Sequence, residues 1–318
     1  MRLFLLLALL ALGFSVQAQQ IPIFSQFREM TGYLNPASIK SDYFILDNNI
    51  SVGATYRQQW ANHPLSPTTF GAHADLLFEN RGFSLLGGAY FLKDEVGATD
   101  FTGFYGRIGG LIGNPQRGGL SVGFSVGSLQ HRVNSAGLSF FEEGDINEGT
   151  TYSENAMDVG AGIFYFTINA QKDVFYAGIS IPQILGADIS LTTLDGKVFN
   201  YKREPHYFIS AGYMKTIADV GYLEGKVMAK GVNSITPSVD FSFRFIGLFP
   251  PSNSGFWVGL GGGSTGVLMG EVGGIFGDLL GADTQLKVGY SPSYYFAGFG
   301  PSFGITHEFT LTYLFSTY

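Results

Sequence analysis

The sequence contains one motif of the type that positions a nucleophilic serine. Residues 123–127 read GFSVG and match G-x-S-x-G, in which the serine lies on a sharp turn between a strand and a helix. Here the motif falls inside a run of alternating apolar and small residues, which predicts an uninterrupted strand instead. Three histidines, His73, His131 and His206, could act as its base, but their spacing selects none of them. We therefore expect Ser125 to be a small residue on one strand face, and no catalytic residue is predicted.

The patterns expected of metal and phosphate sites are incomplete. His307 and Glu308 lack a second histidine at helical spacing, and the glycine-rich run 259–266 lacks the Gly-Lys-Ser/Thr ending of a phosphate loop. The chain has no cysteine, which excludes thiolate chemistry, and its net charge of −7 argues against nucleic acid as a partner. The expectation is a protein that is not an enzyme and holds no cofactor or metal.

Alternation with a period of two residues is the dominant pattern after residue 48. Leu120, Val122, Phe124 and Val126, for example, share one face, and the residues between them are small. Similar segments recur to the end of the chain, as expected of barrel strands with one face in lipid and the other in the lumen. The pattern predicts an all-β fold, a transmembrane antiparallel β-barrel of about fourteen strands. The predicted strands are 49–60, 66–79, 82–93, 101–113, 117–132, 155–168, 172–180, 206–217, 220–231, 237–247, 254–263, 266–277, 282–290 and 305–317.

The composition and the N-terminus indicate export to an outer membrane. Charged residues make up 14% of the chain, against about 25% in a typical soluble domain. Residues 1–18 are predicted to be a signal peptide, cleaved between Ala18 and Gln19 after a small-residue site. Its apolar run is shorter than the roughly 20 residues that a membrane-spanning helix needs. We expect residues 49–318 to form the barrel in the outer membrane of a Gram-negative bacterium.

Ionisable residues of the predicted strands fall on the face opposite to the apolar one. In lipid, an Arg or Lys near the midplane would cost about 2–4 kcal/mol, so this face is assigned to the lumen. Two interpretations stay open: a salt-bridged, solvated interior, or a selective channel or ligand site. The residues of this lumen cluster are Arg57, His73, Asp75, Arg107, Asp158, Glu224, Lys226, Asp240, Arg244, Glu271 and Lys287.

Residues 19–48 form a short pre-barrel segment, too mixed in composition for a strand. We expect this segment to lie in the lumen as a plug or along the periplasmic mouth. Two long connections, 133–154 and 181–205, both follow odd-numbered strands and are predicted to be extracellular if the first strand starts in the periplasm. A miscount of one strand between them would place them at opposite ends. The second connection contains a predicted small hairpin, with strands at 189–193 and 197–201.

Several motifs resemble those of the PorP/SprF family of Bacteroidota outer-membrane proteins. An FSQ motif at 24–26 and an LNPA motif at 34–37 follow the signal peptide, and a YRxQW motif at 56–60 lies in the first predicted strand. The order of the LNPA and YRxQW motifs is the most specific feature. Weaker matches are spread over nearly the whole mature chain, at 94–97, 176–180, 206–208 and 307–309.

The resemblance implies a component of the type IX secretion and gliding-motility apparatus. Such proteins aid the export or surface attachment of proteins with C-terminal sorting domains, so the implied partners are other secretion-system components or a sorting-domain surface protein such as an adhesin, besides outer-membrane lipid. The motif residues would bind a partner or anchor the plug to the first strand, with Trp60 at the membrane interface. These candidate residues are Asn35, Pro36, Tyr56, Arg57, Gln59 and Trp60.

Two functions of other classes remain as alternatives. A small-solute porin or a transporter of hydrophobic compounds would have the same strand pattern, and the sequence does not decide whether the lumen is open. A barrel phospholipase would need a serine and a histidine brought together on the wall.

Overall fold

A computed structural model gives the fold of the chain. The predicted signal peptide, its cleavage site, Ser25 and Gln26, and most of the 133–154 connection lie outside the residues that it describes. The described residues are 24, 27–80, 82–134, 150–186, 188–192, 196, 198–218, 220–233, 235–250, 254–279, 281–298 and 300–317.

The described residues form a closed antiparallel barrel of fourteen strands, which confirms the predicted fold class. The last strand pairs with the first and closes the wall, for example at Tyr56 and Phe309. Two further strands, β8 and β9, form the predicted small hairpin apart from the barrel. The strands are β1 Ile50–Gln58, β2 Thr68–Phe78, β3 Gly82–Val96, β4 Thr99–Asn114, β5 Gly118–Asn134, β6 Thr151–Ile168, β7 Val174–Ile181, β8 Asp188–Thr192, β9 Val198–Lys202, β10 His206–Ile217, β11 Gly221–Val232, β12 Ile235–Phe249, β13 Ser254–Gly263, β14 Val267–Gly277, β15 Gln285–Tyr295 and β16 Thr306–Phe315.

The largest boundary difference is in β15, which was predicted to end at 290 and continues through Pro292 to Tyr295. A proline removes a ladder donor and usually marks a strand end. Here the pairing with β16 continues past Pro292, whereas the pairing with β14 is interrupted opposite it, at Gly270 and Glu271. The missing donor therefore weakens one ladder without ending the strand.

The wall has an apolar outer face and a polar inner face, as the alternation predicted. On β5, Phe124 is 59% exposed, whereas Ser121 on the opposite face is fully buried. Phe70, Phe91 and Phe104 form a row on the outer face, with successive ring centroids 6.0 and 4.8 Å apart. A continuous apolar outer band of this kind is the surface that a barrel presents to lipid.

The two ends of the barrel differ in their connections. The β5–β6 and β7–β10 connections lie at the same end, because one strand, β6, separates β5 from β7. We call this the insert end. The opposite end, where β1 begins, carries short turns such as 115–117 and is called the turn end.

Residues 27–48 fill the lumen and are called the plug. The plug contains two short helices, α1 (Thr31–Leu34) and α2 (Ser41–Leu46). Its first half packs in the insert-end half of the lumen, where Phe27 and Met30 cluster with Phe208 and Met228 of the wall. Its second half descends to the turn end, where the left-handed residue Asp47 caps α2 three residues before β1 begins. The chain therefore passes down the lumen before it enters the wall.

A third short helix, α3 (Gly300–Phe303), lies in the β15–β16 connection. Within the described ranges, no helix has the length and hydropathy needed to cross a membrane.

Candidate functional site: the occupied lumen

The LNPA motif lies against a slot of glycines on the inner wall. Gly123, Gly162 and Gly178, on β5, β6 and β7, face the plug where Asn35 and Pro36 touch the wall. A Cβ atom at Gly178 would lie 2.7 Å from Asn35 Nδ2, and Cβ atoms at the other two glycines would overlap the plug more severely. Glycine is needed here because the plug backbone approaches the sheet more closely than a side chain would allow.

Hydrogen bonds fix the plug in this slot. Asn35 donates through Nδ2 to the Ile163 carbonyl (3.1 Å), and its Oδ1 accepts from the Ala37 amide (2.9 Å). From the wall, Arg107 Nη1 donates to the carbonyls of Pro36 (3.1 Å) and Ser38 (2.8 Å). These bonds satisfy backbone groups that a short non-helical segment would otherwise leave unpaired in a buried site.

An ion-pair network ties the first half of the plug to the opposite wall. Arg28 of the plug contacts Glu224 (2.9 Å) and Glu271 (3.1 Å), and Arg244 contacts Glu224 from the other side (3.1 Å). Lys226 lies 4.8 Å from the centre of the Phe27 ring. Such buried charges need partners, because breaking one pair leaves an uncompensated charge in a poorly solvated site.

A second network ties the remainder of the plug to the wall. Lys287 Nζ contacts Glu29 (3.1 Å) and Asp42 (2.7 Å) of the plug. On the neighbouring part of the wall, Lys40 of the plug contacts Asp75 (3.5 Å), which Arg107 also contacts (2.9 Å). The plug and the wall therefore each contribute both acidic and basic groups to the lumen.

The charges around the plug change how its own groups ionise. Burial by itself would raise the pKa of the Glu29 carboxyl, but Lys287 and Lys40 hold that pKa well below its usual range. Burial opposes the charged form of Arg28, yet Glu224 and Glu271 raise its pKa above the ordinary value. Both plug residues are therefore held as ions by charges around them, which for Glu29 include Lys40 of the plug itself as well as Lys287 of the wall.

All eleven residues of the predicted lumen cluster are buried. The structure brings most of them into the networks described above, and Asp240 pairs with Lys230 at 2.7 Å. Asp158 is set apart from these networks, on β6 near the insert end, and its Oδ1 accepts from the Val159 amide. The interior is thus salt-bridged and occupied.

The YRxQW motif lies in a different part of the barrel from the LNPA motif. Tyr56 is 42% exposed on the outer face. Arg57 points inward, donates to Gln59 Oε1 (3.1 Å) and to the Tyr295 hydroxyl (3.1 Å), and lies 3.8 Å from Glu308.

Trp60 follows β1 with a left-handed backbone (φ 57°), and its ring packs against Tyr295 and Phe303 at centroid distances of 6.2 and 5.2 Å. The motif contacts β15, β16 and their connection, whereas Asn35 and Pro36 contact β5, β6 and β7. The two groups of candidate residues are therefore not one site.

The sequence patterns missed the plug's share of the lumen charges. Arg28, Glu29, Lys40 and Asp42 lie in a segment without periodicity, so no face could be assigned to them from the sequence. One signal for them was available in the sequence. Four ionisable residues of both signs lie on either side of the LNPA motif, and the strands that follow carry inward-facing charges of both signs with which they could pair.

The serine motif lies in a different local structure from the one that a nucleophilic serine of this type needs. Ser125 lies within β5, whereas a nucleophile elbow requires a turn between a strand and a helix. Among the residues that the structure describes, no group of three or more His, Cys, Asp or Glu side chains is arranged to hold a metal ion.

A family model described as "Type IX secretion system membrane protein PorP/SprF" matches residues 16–313. The chain belongs to the PorP/SprF family. The match covers nearly the whole chain and confirms the resemblance carried by the motifs. Together with the closed barrel, it makes the protein an outer-membrane barrel of the type IX secretion system.

Solved structures with a similar fold are only distantly related in sequence. A Pseudomonas aeruginosa FadL homologue has a TM-score of 0.58 at 7% identity, over 91% of this chain and 94% of that chain. The Pseudomonas putida toluene transporter TodX has a TM-score of 0.53 at 8% identity, over 92% and 94% of the two chains. At such identities the likeness shows the fold alone. No curated protein matches the chain significantly.

Proposed function

We propose that this protein is a non-enzymatic barrel that aids the export or surface attachment of sorting-domain proteins by binding protein partners within the type IX secretion system. The observation that supports this proposal is the plug. Glu29, Lys40 and Asp42 are each in contact with wall side chains, and Asn35 is bonded to the wall backbone. A plug that is held in the lumen by these contacts favours a binding function over a conduit function, because it occupies the path that a solute would take.

The proposal is tested by partner recovery together with a secretion assay. A tagged full-length barrel, purified in mild detergent from cells after crosslinking, should retain components of the secretion apparatus or a sorting-domain protein. A deletion strain should lose those sorting-domain proteins from its surface or medium. A matched control is an unrelated outer-membrane barrel with the same tag. Recovery of the barrel alone, together with normal secretion in the deletion strain, would contradict the proposal.

The alternative is transport of small or hydrophobic compounds. It is favoured by the fold likeness to the toluene transporter TodX and to CymD, a monoaromatic hydrocarbon channel. Planar bilayers containing the purified barrel distinguish a porin, which would show steady conductance. Uptake of a labelled aromatic hydrocarbon by cells with and without the gene tests the hydrophobic route, and equal uptake would count against it.

A further inference from the structure

A groove interrupts the outer face of the wall near the insert end, across β10, β11 and β12. Its volume is about 190 Å³. Tyr207 and Ile209 of β10 line one side, and Pro237 of β12 lines the other. Gly231 and Ala229 of β11 lie between them, because they pair with Tyr207 and Ile209 in the sheet. Two small residues flanked by large ones therefore form the floor of the groove.

Gly231 keeps the groove open, although the wall does not require a glycine at this position. Its backbone is not in the left-handed conformation that favours glycine. A Cβ atom at Gly231 would meet only Pro237, at 3.5 Å and beyond, which is ordinary van der Waals contact. The slot glycines of β5, β6 and β7 differ, because a Cβ atom there would overlap the plug. The absence of a side chain at Gly231 therefore serves the space outside the wall.

The groove offers apolar surface and no available charge. Lys230 borders it, but its side chain is 10% exposed and its Nζ pairs with the buried Asp240 at 2.7 Å. The other polar side chains among the lining residues are those of Tyr207 and Asn233, which are both uncharged. A ligand in the groove is therefore held by apolar contact, with hydrogen-bonding groups only beside it.

A break in the β11–β12 ladder shows where the groove lies relative to the membrane. The register shifts between Lys230 and Val232, so that Gly231 and Pro237 have no partner in this ladder. Lipid-exposed breaks in a sheet do not occur within the hydrocarbon region, so the break lies at the level of the headgroups. Towards the turn end the same face is apolar, with Ile209 57% and Tyr213 46% exposed. The groove thus extends from the headgroup level into the apolar band.

From this position and lining we propose that the groove binds one acyl chain of an outer-leaflet lipid. Outer-membrane barrels have short periplasmic turns and longer extracellular connections, so the insert end lies at the outer leaflet. A lipid there has its headgroup beside Asn233 and its tail along Gly231, Ala229 and Ile209, which matches the order of polar and apolar groups in the groove. The groove opens on the lipid-facing side, so a lipid reaches it by lateral diffusion.

A photoreactive lipid tests the site on the full-length barrel. The barrel is purified in mild detergent and irradiated with a limiting amount of phosphatidylcholine that carries a diazirine on one acyl chain. The crosslinked residues are then identified by peptide mass spectrometry. Gly231→Leu fills the groove. The matched control is Gly270→Leu, between the exposed Leu268 and Val272 of β14, where a Cβ atom would meet only Pro292, at 3.7 Å.

We expect the crosslinks to concentrate in residues 207–209 and 229–237. Gly231→Leu should reduce their yield about tenfold or more, because the leucine side chain takes the place of several methylene groups of the lipid. Gly270→Leu should leave the yield unchanged, and so should raised salt, because no charge takes part in binding. Heat-modifiable migration in gels checks that both variants fold.

Crosslinks spread evenly over the outer face, or an equal yield in Gly231→Leu, would overturn the proposal. Loss of the crosslinks at raised salt would overturn it as well, because it would mean that the headgroup is bound by charge. A barrel that is a dimer by light scattering, and that becomes a monomer in Gly231→Leu, would show that a second copy occupies the groove instead. None of these results bears on the proposed function, because partner recovery and secretion are measured separately.

Discussion

At the scale of single residues, Asn35 and Pro36 of the plug fit against three glycines of the wall. The wall glycines leave room for the plug backbone, and the amide of Asn35 bonds both to the wall and to its own loop. A motif of four residues thus matches a slot on three consecutive strands that are distant from the motif in the sequence.

Gly162→Ala should loosen the plug. The added methyl group overlaps Asn35, and overpacking of this kind costs about 1–3 kcal/mol. The chain has no cysteine, so Ser38→Cys places a single reporter in the plug at a residue that is 1% exposed, and its labelling by maleimide should therefore accelerate. Gly106→Ala is the control, because a Cβ atom there meets nothing within 4 Å. Unchanged labelling in Gly162→Ala would mean that the slot does not retain the plug.

Glu29 makes the stability of the plugged barrel sensitive to acid. Its pKa is lowered in the folded protein, so its contribution is complete above the ordinary value of 4.5 and is lost as the pH falls below it. The thermal midpoint of the purified barrel should therefore fall between about pH 5 and pH 3. The part of this fall that is due to Glu29 should be absent in Glu29→Gln. Comparing the pH dependence of the thermal midpoint in the two proteins therefore separates Glu29 from the other carboxyl groups. Parallel curves for the two proteins would refute the assignment.

At the scale of elements, the plug and the wall are held together by polar contacts in addition to apolar packing. Arg28 and Glu29 bind to different parts of the wall, and α2 lies at the turn end. The plug is thus a distinct element inside the wall, and the wall's ladder pairing is continuous around it.

Removal of the plug should open the barrel. Replacing residues 27–46 with a short Gly-Ser linker leaves all fourteen barrel strands in place, so we expect the wall to assemble and to conduct ions in planar bilayers. The intact protein is the control and should be closed or nearly so. If the intact and plugless proteins conduct equally, the plug does not block the lumen.

At the scale of the whole molecule, the position in the membrane follows from the outer face. The exposed apolar residues of β5 extend from Leu120 to Val126, and Ser128 still lies between the exposed Phe104 and Met157 of the neighbouring strands. The next outward residue, Gln130, is polar and pairs with Thr102 and Asn155, which are polar as well. Lipid therefore contacts only part of β5, and the rest of the strand rises beyond the apolar band towards the insert end.

Phe124→Arg should impair assembly, whereas Gln130→Arg should not. Phe124 lies within the apolar band, where an arginine costs about 2–4 kcal/mol, and Gln130 lies on the same face of the same strand beyond the band. Folded protein is measured by heat-modifiable migration in membrane fractions. Equal yields of the two variants would place the lipid boundary elsewhere.

The sequence by itself determined the wall. Each strand of a barrel has one face in lipid and one in the lumen, so apolar residues recur at every second position, as from Leu120 to Val126. All fourteen barrel strands were predicted from this period of two. The inward charges followed from the same alternation, and the family followed from the LNPA and YRxQW motifs.

Only the tertiary structure decided what fills the lumen. The plug has no period, because its residues contact different strands of the wall all around it, and its partners are up to 283 residues away in the chain, as for Glu29 and Thr312. The contact of the LNPA motif with the glycines of β5, β6 and β7 and the separation of Asn35 from Trp60 depend on the path of the plug down the lumen of the closed barrel, which no local pattern predicts.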